Sequence, residues 1–369
     1  MNLRNRMSCA AAMILFLVSA GSAQIIENPD KPKSPDAGRV IVPKEAMKIT
    51  DESGEFFFKY PRNLKIGPDG SIWVVDSEQF LHFDKDIRFR GNIYKKGQGP
   101  GETSQFDNFG FPEEGGIVVH SFSPPKMMWF DKNDKFVREI PLTKNPRARF
   151  LGRFHEKWIF DNADIPRFTG EPRYMDRSHQ ILAWDEKTNE WASLTSFNCA
   201  IYAASDGRSS GWFDIASLLM ADLGQGRIAI SHTQEYAIKI YQTASNKIGR
   251  EFRRVYRRVP PPPLKPGQKR GQLGLNEKIF EEPERKYQND IRDLHAVDGR
   301  IWAVTSTQDP EKGILIDVFD AQGSYQDAFF IKFPDPSRGS FQMNPDGKSV
   351  FTLESNEDGT WSIKKYLLK

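Results

Sequence analysis

The stretch PDGSIWVVD at residues 68–76 decides the fold, because it joins a tight turn directly to a short apolar run. Glycine in such a turn supplies a backbone conformation with positive φ, and the β-branched and aromatic residues that follow favour a strand. The same pattern recurs five times, without its glycine in one case. The recurrences are GGIVV at 115–119, KWIF at 157–160, GRIAI at 226–230, GRIWAV at 299–304 and GKSVF at 347–351. The chain therefore contains six copies of one strand-forming unit.

Each copy continues into a second strand that ends in an aromatic residue, usually followed by aspartate. These strand ends are Phe83-Asp84, Phe130-Asp131, Trp184-Asp185, Tyr241, Phe319-Asp320 and Tyr366. One strand precedes each glycine turn and another follows each polar turn, so a unit holds four antiparallel strands, as a propeller blade does. The sequence predicts an all-β protein that forms a single six-bladed β-propeller of four-stranded antiparallel blades.

The last unit indicates how the ring closes. Tyr366 is followed by only three residues, which leaves no room for a fourth strand in that blade. Residues 38–50 have a strand-like pattern and precede the first blade. We therefore expect this N-terminal strand to complete the last blade, which removes an exposed sheet edge.

These features, together with the stretch GQGPGE at 97–102, give the chain a resemblance to a known family. It resembles the NHL-repeat-like secreted six-bladed β-propellers of bacteria over essentially the whole mature chain, most closely in the first two blades. The resemblance implies the fold and an exported location. Many relatives carry a lipoprotein cysteine that this chain lacks, so membrane anchoring is not implied.

The N-terminus also indicates export. Two arginines precede an apolar stretch at 10–20, and small residues lead up to Gln24, which is the pattern of a signal peptide cleaved after Ala23. We expect residues 1–23 to be the signal peptide, 24–37 a flexible lead-in and 38–369 the propeller. No stretch has the length of a transmembrane helix. Cys199 is then the only cysteine of a periplasmic or secreted protein, which we expect to be a monomer without an internal disulfide.

Composition argues against nucleic acid as a partner. The chain has 52 basic and 49 acidic side chains, so its formal net charge is only +3. Such a balance creates no overall field that would steer the molecule onto a polyanion, although a local basic patch is compatible with it.

The loops that enter the innermost strands should converge on one mouth of the central channel. They carry residues of both charges, and two interpretations remain open: ion pairs that plug the channel, or a polar pocket for a small charged or hydroxylated ligand. The candidate ligand-binding residues are Arg62, Asp107, Asn108, Arg149, Asp214, Asn289, Asp290 and Arg292.

Two functions fit this mouth. The first is a non-catalytic module that binds a small molecule or an envelope protein, without a cofactor. The second is a lactonase or lyase in which aspartate and asparagine side chains hold a divalent cation that polarises a carbonyl or acidifies water. The arginines in the same loops would oppose cation binding, which favours the first hypothesis.

A basic segment at residues 247–270 is the second candidate site. It carries nine basic side chains against the single acid Glu251, and four consecutive prolines at 260–263 interrupt it. One interpretation is a solvated outer strand followed by an extended crossover. The other is a contact for an anionic envelope polymer, made by Arg253, Arg254, Arg257 and Arg258.

Other motif-like stretches favour structural interpretations. GRSSG at 207–211 matches the letters of a nucleophile elbow, but its flanks do not indicate the strand-to-helix turn that this motif requires. GQGPGE lacks the Lys-Ser/Thr pair of a phosphate-binding loop and fits an inter-blade loop. The six histidines show no spacing typical of a zinc site.

Overall fold

The computed structural model describes residues 24–51, 54–154, 156–165, 168–264, 266–267, 269–334, 341–355 and 359–368. The predicted signal peptide, residues 1–23, lies outside them. Three strands, β1 (Gln24–Asn28), β2 (Arg39–Ile41) and β3 (Lys44–Ile49), precede the first blade. Among the described residues, no helix has the length and hydropathy needed to cross a membrane.

The first three blades follow one another along the chain. Blade 1 consists of β4 (Pro61–Ile66), β5 (Ile72–Asp76), β6 (Gln79–Phe83) and β7 (Phe89–Asn92). Blade 2 consists of β8 (Gln105–Gly110), β9 (Ile117–Ser123), β10 (Pro125–Phe130) and β11 (Phe136–Pro141). Blade 3 has five strands, β12 (Arg149–Phe154), β13 (Lys157–Ala163), β14 (Arg173–Asp185), β15 (Glu190–Ser205) and β16 (Ser210–Asp214).

An insertion separates the fourth and fifth blades. Blade 4 consists of β17 (Leu219–Asp222), β18 (Arg227–Ser231), β19 (Ile238–Gln242) and β20 (Lys247–Arg254). The insertion contains a hairpin of β21 (Gln272–Leu275) and β22 (Lys278–Glu281). Blade 5 consists of β23 (Ile291–Val297), β24 (Arg300–Asp309), β25 (Gly313–Phe319) and β26 (Tyr325–Ile331), and blade 6 of β27 (Gln342–Met343), β28 (Ser349–Ser355) and β29 (Trp361–Leu367).

The predicted closure is confirmed. Strand β3 pairs antiparallel with β29, with Ile49 opposite Ile363, and so completes blade 6. The structure also confirms the all-β six-bladed propeller and adds outer strands to three blades. Blade 3 gains β16, while β1 and β2 add in parallel to the outer edges of blades 4 and 5.

Residues 24–37 differ from the flexible lead-in expected from the sequence. Strand β1 pairs with β20 from Gln24 opposite Arg250 to Asn28 opposite Arg254. The buried Asn28 amide donates to the backbone carbonyl of Gly323 at 2.9 Å, and its oxygen accepts from the backbone N–H of Tyr325 at 2.9 Å. The segment thus crosses from blade 4 to blade 5 before it reaches blade 6.

The core lies between the blades, as six apolar clusters that each join two neighbours. Within β5, Ile72 and Val74 belong to the cluster shared with blade 6, whereas Trp73 and Val75 belong to the cluster shared with blade 2. Because successive side chains of a strand point to opposite faces, a strand buried on both faces has a continuous apolar run. The IWVV stretch has this composition for this reason. The same sharing continues around the ring and closes it between blades 6 and 1.

The glycine turns lie at one edge of the ring. At Gly116, φ is +80° and a Cβ atom would lie 2.2 Å from the carbonyl oxygen of Phe130, so no other residue fits. GQGPGE forms the loop between blades 1 and 2, where the carbonyl of Gly99 accepts from Lys126 Nζ at 2.7 Å. Its interpretation as an inter-blade loop agrees with these contacts.

Candidate binding site at the channel mouth

The inner strands β4, β8, β12, β17, β23 and β27 begin at the ring edge opposite the glycine turns. We call this edge the inlet face. The predicted mouth residues fall into separate groups on it. Contacts join Asp107, Asn108 and Arg149 at blades 2 and 3, and Asn289, Asp290 and Arg292 lie together beside blade 5. In the described part of the chain no hydrogen bond or ion pair joins the two groups.

Asp107 and Asn108 hold the inner strands of blades 2 and 3 together. Asp107 Oδ2 accepts the backbone N–H of Phe150 at 2.8 Å, and Asn108 Nδ2 donates to the Phe150 carbonyl at 2.7 Å. The buried His120 places Nδ1 2.8 Å from the same Asp107 oxygen, and this nitrogen must carry a proton because a carboxylate only accepts. These side chains align the blades, which supports the structural interpretation at this part of the mouth.

Lys65 extends this polar seam to blade 1, and the sequence analysis missed it. Its Nζ donates to the carbonyl of Phe109 at 2.5 Å and lies 4.8 Å from the centre of the Phe109 ring. Burial of the ammonium group lowers the pKa of Lys65 to about 8, although the nearby Asp107 opposes the shift. A lysine between the apolar Leu64 and Ile66 of an inner strand is the sequence signal that could have identified it.

Two arginines of the mouth face solvent. Arg149 has a side chain that is 68% exposed, and its Nε lies 4.0 Å from Asp107 Oδ1, at the limit of an ion pair. Arg62 is exposed as well and forms no ion pair among the described residues. Both guanidinium groups are therefore accessible to solvent.

Asp290 does not face the mouth as a free carboxylate. It is buried, and its Oδ1 lies 3.1 Å from Nε of Arg258, which also donates to the carbonyl of Gln234. Burial raises the pKa of Asp290, and Arg258 partly offsets this effect. Arg258, predicted to contact a polyanion, is instead the internal counter-ion of a predicted mouth residue.

Arg254 also differs from its predicted surface role. Only 8% of its side chain is exposed, and its Nε lies 2.8 Å from Oδ2 of the fully buried Asp317. Arg253 and Arg257 are exposed, and Arg253 forms an ion pair with Glu251. Strand alternation could have separated these residues, because Arg254 and Arg258 share the inward face with Phe252, whereas Arg253 and Arg257 lie on the other face.

The insertion rises over the inlet face beside blade 3. Arg285 Nη2 donates to the carbonyl of Asp214 at 2.9 Å, and this places Asp214 against the insertion at the end of β16. Leu273 of β21 packs on Gly211, where a Cβ atom would lie 2.6 Å from Leu273 Cδ2. The GRSSG stretch is thus a hairpin turn and docking point, in agreement with its structural interpretation.

The prolines and the end of the insertion enclose a cleft next to blade 5. It contains two adjoining cavities of about 410 and 780 Å³ that share Pro261, Pro262, Glu282 and Arg285. We call the smaller one the arm cleft, lined by Pro261, Pro262, Glu282, Arg285, Gln288, Asn289, Arg292 and Ser306. Gln288 fixes the prolines by donating from Nε2 to the Pro260 carbonyl at 3.1 Å.

The arm cleft contains polar groups that the protein leaves unsatisfied. Asn289 Oδ1 and Arg285 Nε are buried and have no hydrogen-bond partner among the described residues. Arg292 lines the same cleft and is exposed. A ligand with hydroxyl and carboxylate groups could satisfy all three, because it would donate to Asn289 and accept from the arginines. No group of three or more metal-ligating side chains occurs among the described residues.

Comparisons with known proteins agree with the fold. A family model described as a 6-bladed beta-propeller matches residues 51–194, which covers blades 1 and 2 and most of blade 3. The recognition of a six-bladed propeller from the sequence is confirmed. A search of curated proteins finds no significant match.

Many solved structures are similar to this chain at low identity. A protein described as exported, from Bacteroides fragilis NCTC 9343, is 10% identical with a TM-score of 0.47, covering 94% of this chain and 100% of that one. Virginiamycin B lyase from Staphylococcus aureus is 9% identical with a TM-score of 0.40, covering 87% and 99%. The calcium-binding protein regucalcin from Agrobacterium tumefaciens C58 is 10% identical with a TM-score of 0.41, covering 94% and 98%. At these values no ligand or activity transfers to this chain.

Proposed function

We propose that the protein is an exported, non-catalytic propeller that binds a small hydroxylated anion, such as a sugar acid, in the arm cleft. The observation that carries this proposal is the buried Asn289 Oδ1, which has no partner among the described residues and lies in the same cleft as the exposed Arg292. A buried acceptor without a partner is costly unless a ligand or water donates to it. Arginine beside it selects a carboxylate, which it binds in a bidentate manner.

The metal-assisted alternative has less support at this mouth. Its carboxylates would have to coordinate a cation, but Asp107 Oδ2 already accepts from His120 and Phe150, and Asp290 Oδ1 from Arg258. Only the second oxygen of each aspartate is then left for a cation, and Arg149 lies 4.0 Å from that of Asp107. The binding hypothesis requires no coordination by these carboxylates.

Calorimetric titration of the purified mature protein with D-glucuronate and D-glucose tests the proposal. We expect glucuronate to bind more tightly than glucose, because only glucuronate offers a carboxylate to Arg292. Arg292→Gln should weaken glucuronate binding by about tenfold, as expected for the loss of a charged hydrogen bond. Arg62→Gln is the matched control, since Arg62 is an exposed arginine of the mouth outside the cleft.

Two results would contradict the proposal. Equal weakening by both substitutions would show that the anion is attracted by the mouth in general and not held in the arm cleft. Turnover of a lactone or another sugar derivative by the wild-type protein, lost on chelation, would favour the enzymatic alternative.

A further inference from the structure

A second cavity lies at the glycine-turn edge of the ring, opposite the inlet face. It has a volume of about 720 Å³ between the turn that joins β8 to β9 and the hairpin that joins β14 to β15. Its lining includes Trp158, Trp184 and Trp191, which stand directly opposite one another on three adjacent strands. We call it the tryptophan pocket. Paired positions across a sheet project from the same face, so the three indoles form one row.

Two N–H donors of this pocket lack acceptors. Trp158 is only 4% exposed as a residue, and its indole Nε1, which is not one of the fully buried polar atoms, donates to no described residue. Arg153 has its guanidinium 5.4 Å from the centre of the Trp158 ring and forms an ion pair from Nη2 to Glu113 at 3.1 Å, but its buried Nε has no partner among the described residues. A buried donor such as Arg153 Nε normally binds an acceptor, so the pocket suits a ligand that carries oxygen.

The rim of the pocket is acidic. Six carboxylates line it against three basic side chains. Four of the six, Glu114, Glu156, Asp185 and Glu190, form no ion pair in the part of the chain that the structure describes. Their charge attracts a cation, and their oxygens also accept hydrogen bonds from hydroxyl groups. Arg153 over the Trp158 ring shows that these indoles already accommodate one cation.

We propose that the tryptophan pocket binds a hydroxylated organic cation of the amino-sugar class. Its ammonium groups lie among the rim carboxylates, and its hydroxyl oxygens accept from Trp158 Nε1 and Arg153 Nε. Its ring C–H surface packs on the partly exposed Trp191, as apolar faces of ligands pack on indoles. Uncharged sugars lack the ammonium groups that the rim carboxylates attract, and simple polyamines lack the hydroxyl oxygens that accept hydrogen bonds. The site is independent of the arm cleft, since it lies at the other end of the blades.

Calorimetric titration with four probes tests this assignment at 20 mM and 300 mM salt. Kanamycin carries both amines and hydroxyls, spermine only amines, maltotriose only hydroxyls, and Mg²⁺ only charge. We expect kanamycin to bind most tightly and to lose affinity at high salt. Trp191→Ala should weaken kanamycin binding by about tenfold, and Glu190→Gln by about threefold. Glu277→Gln removes an exposed carboxylate from the insertion hairpin and should change nothing.

Each other outcome overturns the proposal. Spermine binding as tightly as kanamycin would show that hydroxyl groups are not recognised, and equal binding of maltotriose would show that charge is not. Competition by Mg²⁺ at similar concentrations would reduce the pocket to an acidic surface patch. If Trp191→Ala does not fold, the double substitution of Glu114 and Glu190 to glutamine carries the test, and unchanged kanamycin affinity in it would refute the site.

Discussion

Removing the carboxylate of Asp317 should destabilise the propeller more than any surface substitution. Asp317 is fully buried and accepts from Arg254 Nε at 2.8 Å, from the Tyr236 hydroxyl at 2.7 Å and from the Tyr325 hydroxyl at 2.6 Å. Burial opposes the charge of Arg254, but Asp317 outweighs it, so the pKa of Arg254 is raised. The cluster joins blade 4 to blade 5, and every donor in it depends on one carboxylate.

The magnitude follows from the charge that Asp317→Ala leaves behind. Arg254 would remain nearly enclosed between the rings of Tyr236, Tyr256 and Tyr325, with centroids 5.0 to 5.3 Å from its Cζ. Removing one partner of a buried ion pair costs about 3–5 kcal/mol, because the other charge is left uncompensated. An unfolding entropy of about 2.1 cal/mol/K per residue then gives a decrease of about 4–6 °C in Tm for a chain of this length.

Calorimetric melting and urea unfolding at pH 7 measure the effect. Arg39→Ala is the matched control, because Arg39 and Asp327 also lie 2.8 Å apart but at the surface, with 43% of the arginine side chain exposed. Such a pair contributes about 0–1 kcal/mol. The double variant Arg254→Met with Asp317→Leu should recover much of the lost stability, since both charges are then absent.

A decrease for Asp317→Ala no larger than that of Arg39→Ala would refute this reasoning. So would a double variant less stable than Asp317→Ala, because it would show that the loss comes from packing and not from the uncompensated charge.

Three further predictions concern other parts of the molecule. Lys65 has a folded pKa of about 8, below its ordinary 10.5, so the unfolded chain binds more protons than the folded chain between these pH values. The stability of the wild type should therefore rise relative to that of Lys65→Met as the pH increases from 7.5 to 9.5. A constant difference in stability would contradict the shift. Asn28→Ala should cost about 1–3 kcal/mol in urea unfolding, because it leaves the buried groups of blade 5 that bond to Asn28 without partners. An unchanged midpoint would show that these bonds do not anchor the segment to blade 5. If the predicted polyanion contact exists, the double variant Arg253→Gln, Arg257→Gln should elute from a heparin resin at a lower salt concentration than the wild type. Arg208→Gln, on an exposed turn, should lower the eluting salt concentration less. Equal shifts would leave only a general charge effect.

The fold could be predicted because the sequence repeats the physical requirements of a blade. Ile72, Trp73, Val74 and Val75 are all apolar since both faces of β5 are buried between blades. The added outer strands could not be predicted in the same way. Strands β1 and β2 join blades 4 and 5 mainly through backbone hydrogen bonds, which almost any sequence provides, and their residues need no alternating pattern on an exposed edge.

The candidate site could be predicted only in part, because its partners depend on the path of the insertion. The sequence places Asp290 correctly at the start of an inner strand. It does not predict that Asp290 pairs with Arg258, which precedes the four prolines and is separated from Asp290 by the insertion. The alternation of β20 continues into the next residues and does separate the inward Arg254 from the outward Arg253 and Arg257. Treating the basic segment as one charged surface concealed this difference.

The basic segment and the channel mouth are in direct contact, although the sequence predicts two separate sites. Arg258 is held between Asp290 and the Gln234 carbonyl, so its charge is paired within the protein and fixes the base of the proline arm. On the outer edge, Glu27 of β1 lies opposite Arg253 and reduces the charge exposed there. Arg292 stays exposed in the arm cleft, which also contains the unsatisfied amide oxygen of Asn289. Under the proposed function, recognition of an anion at this end of the propeller therefore depends on the position of the arm more than on the number of arginines in the segment.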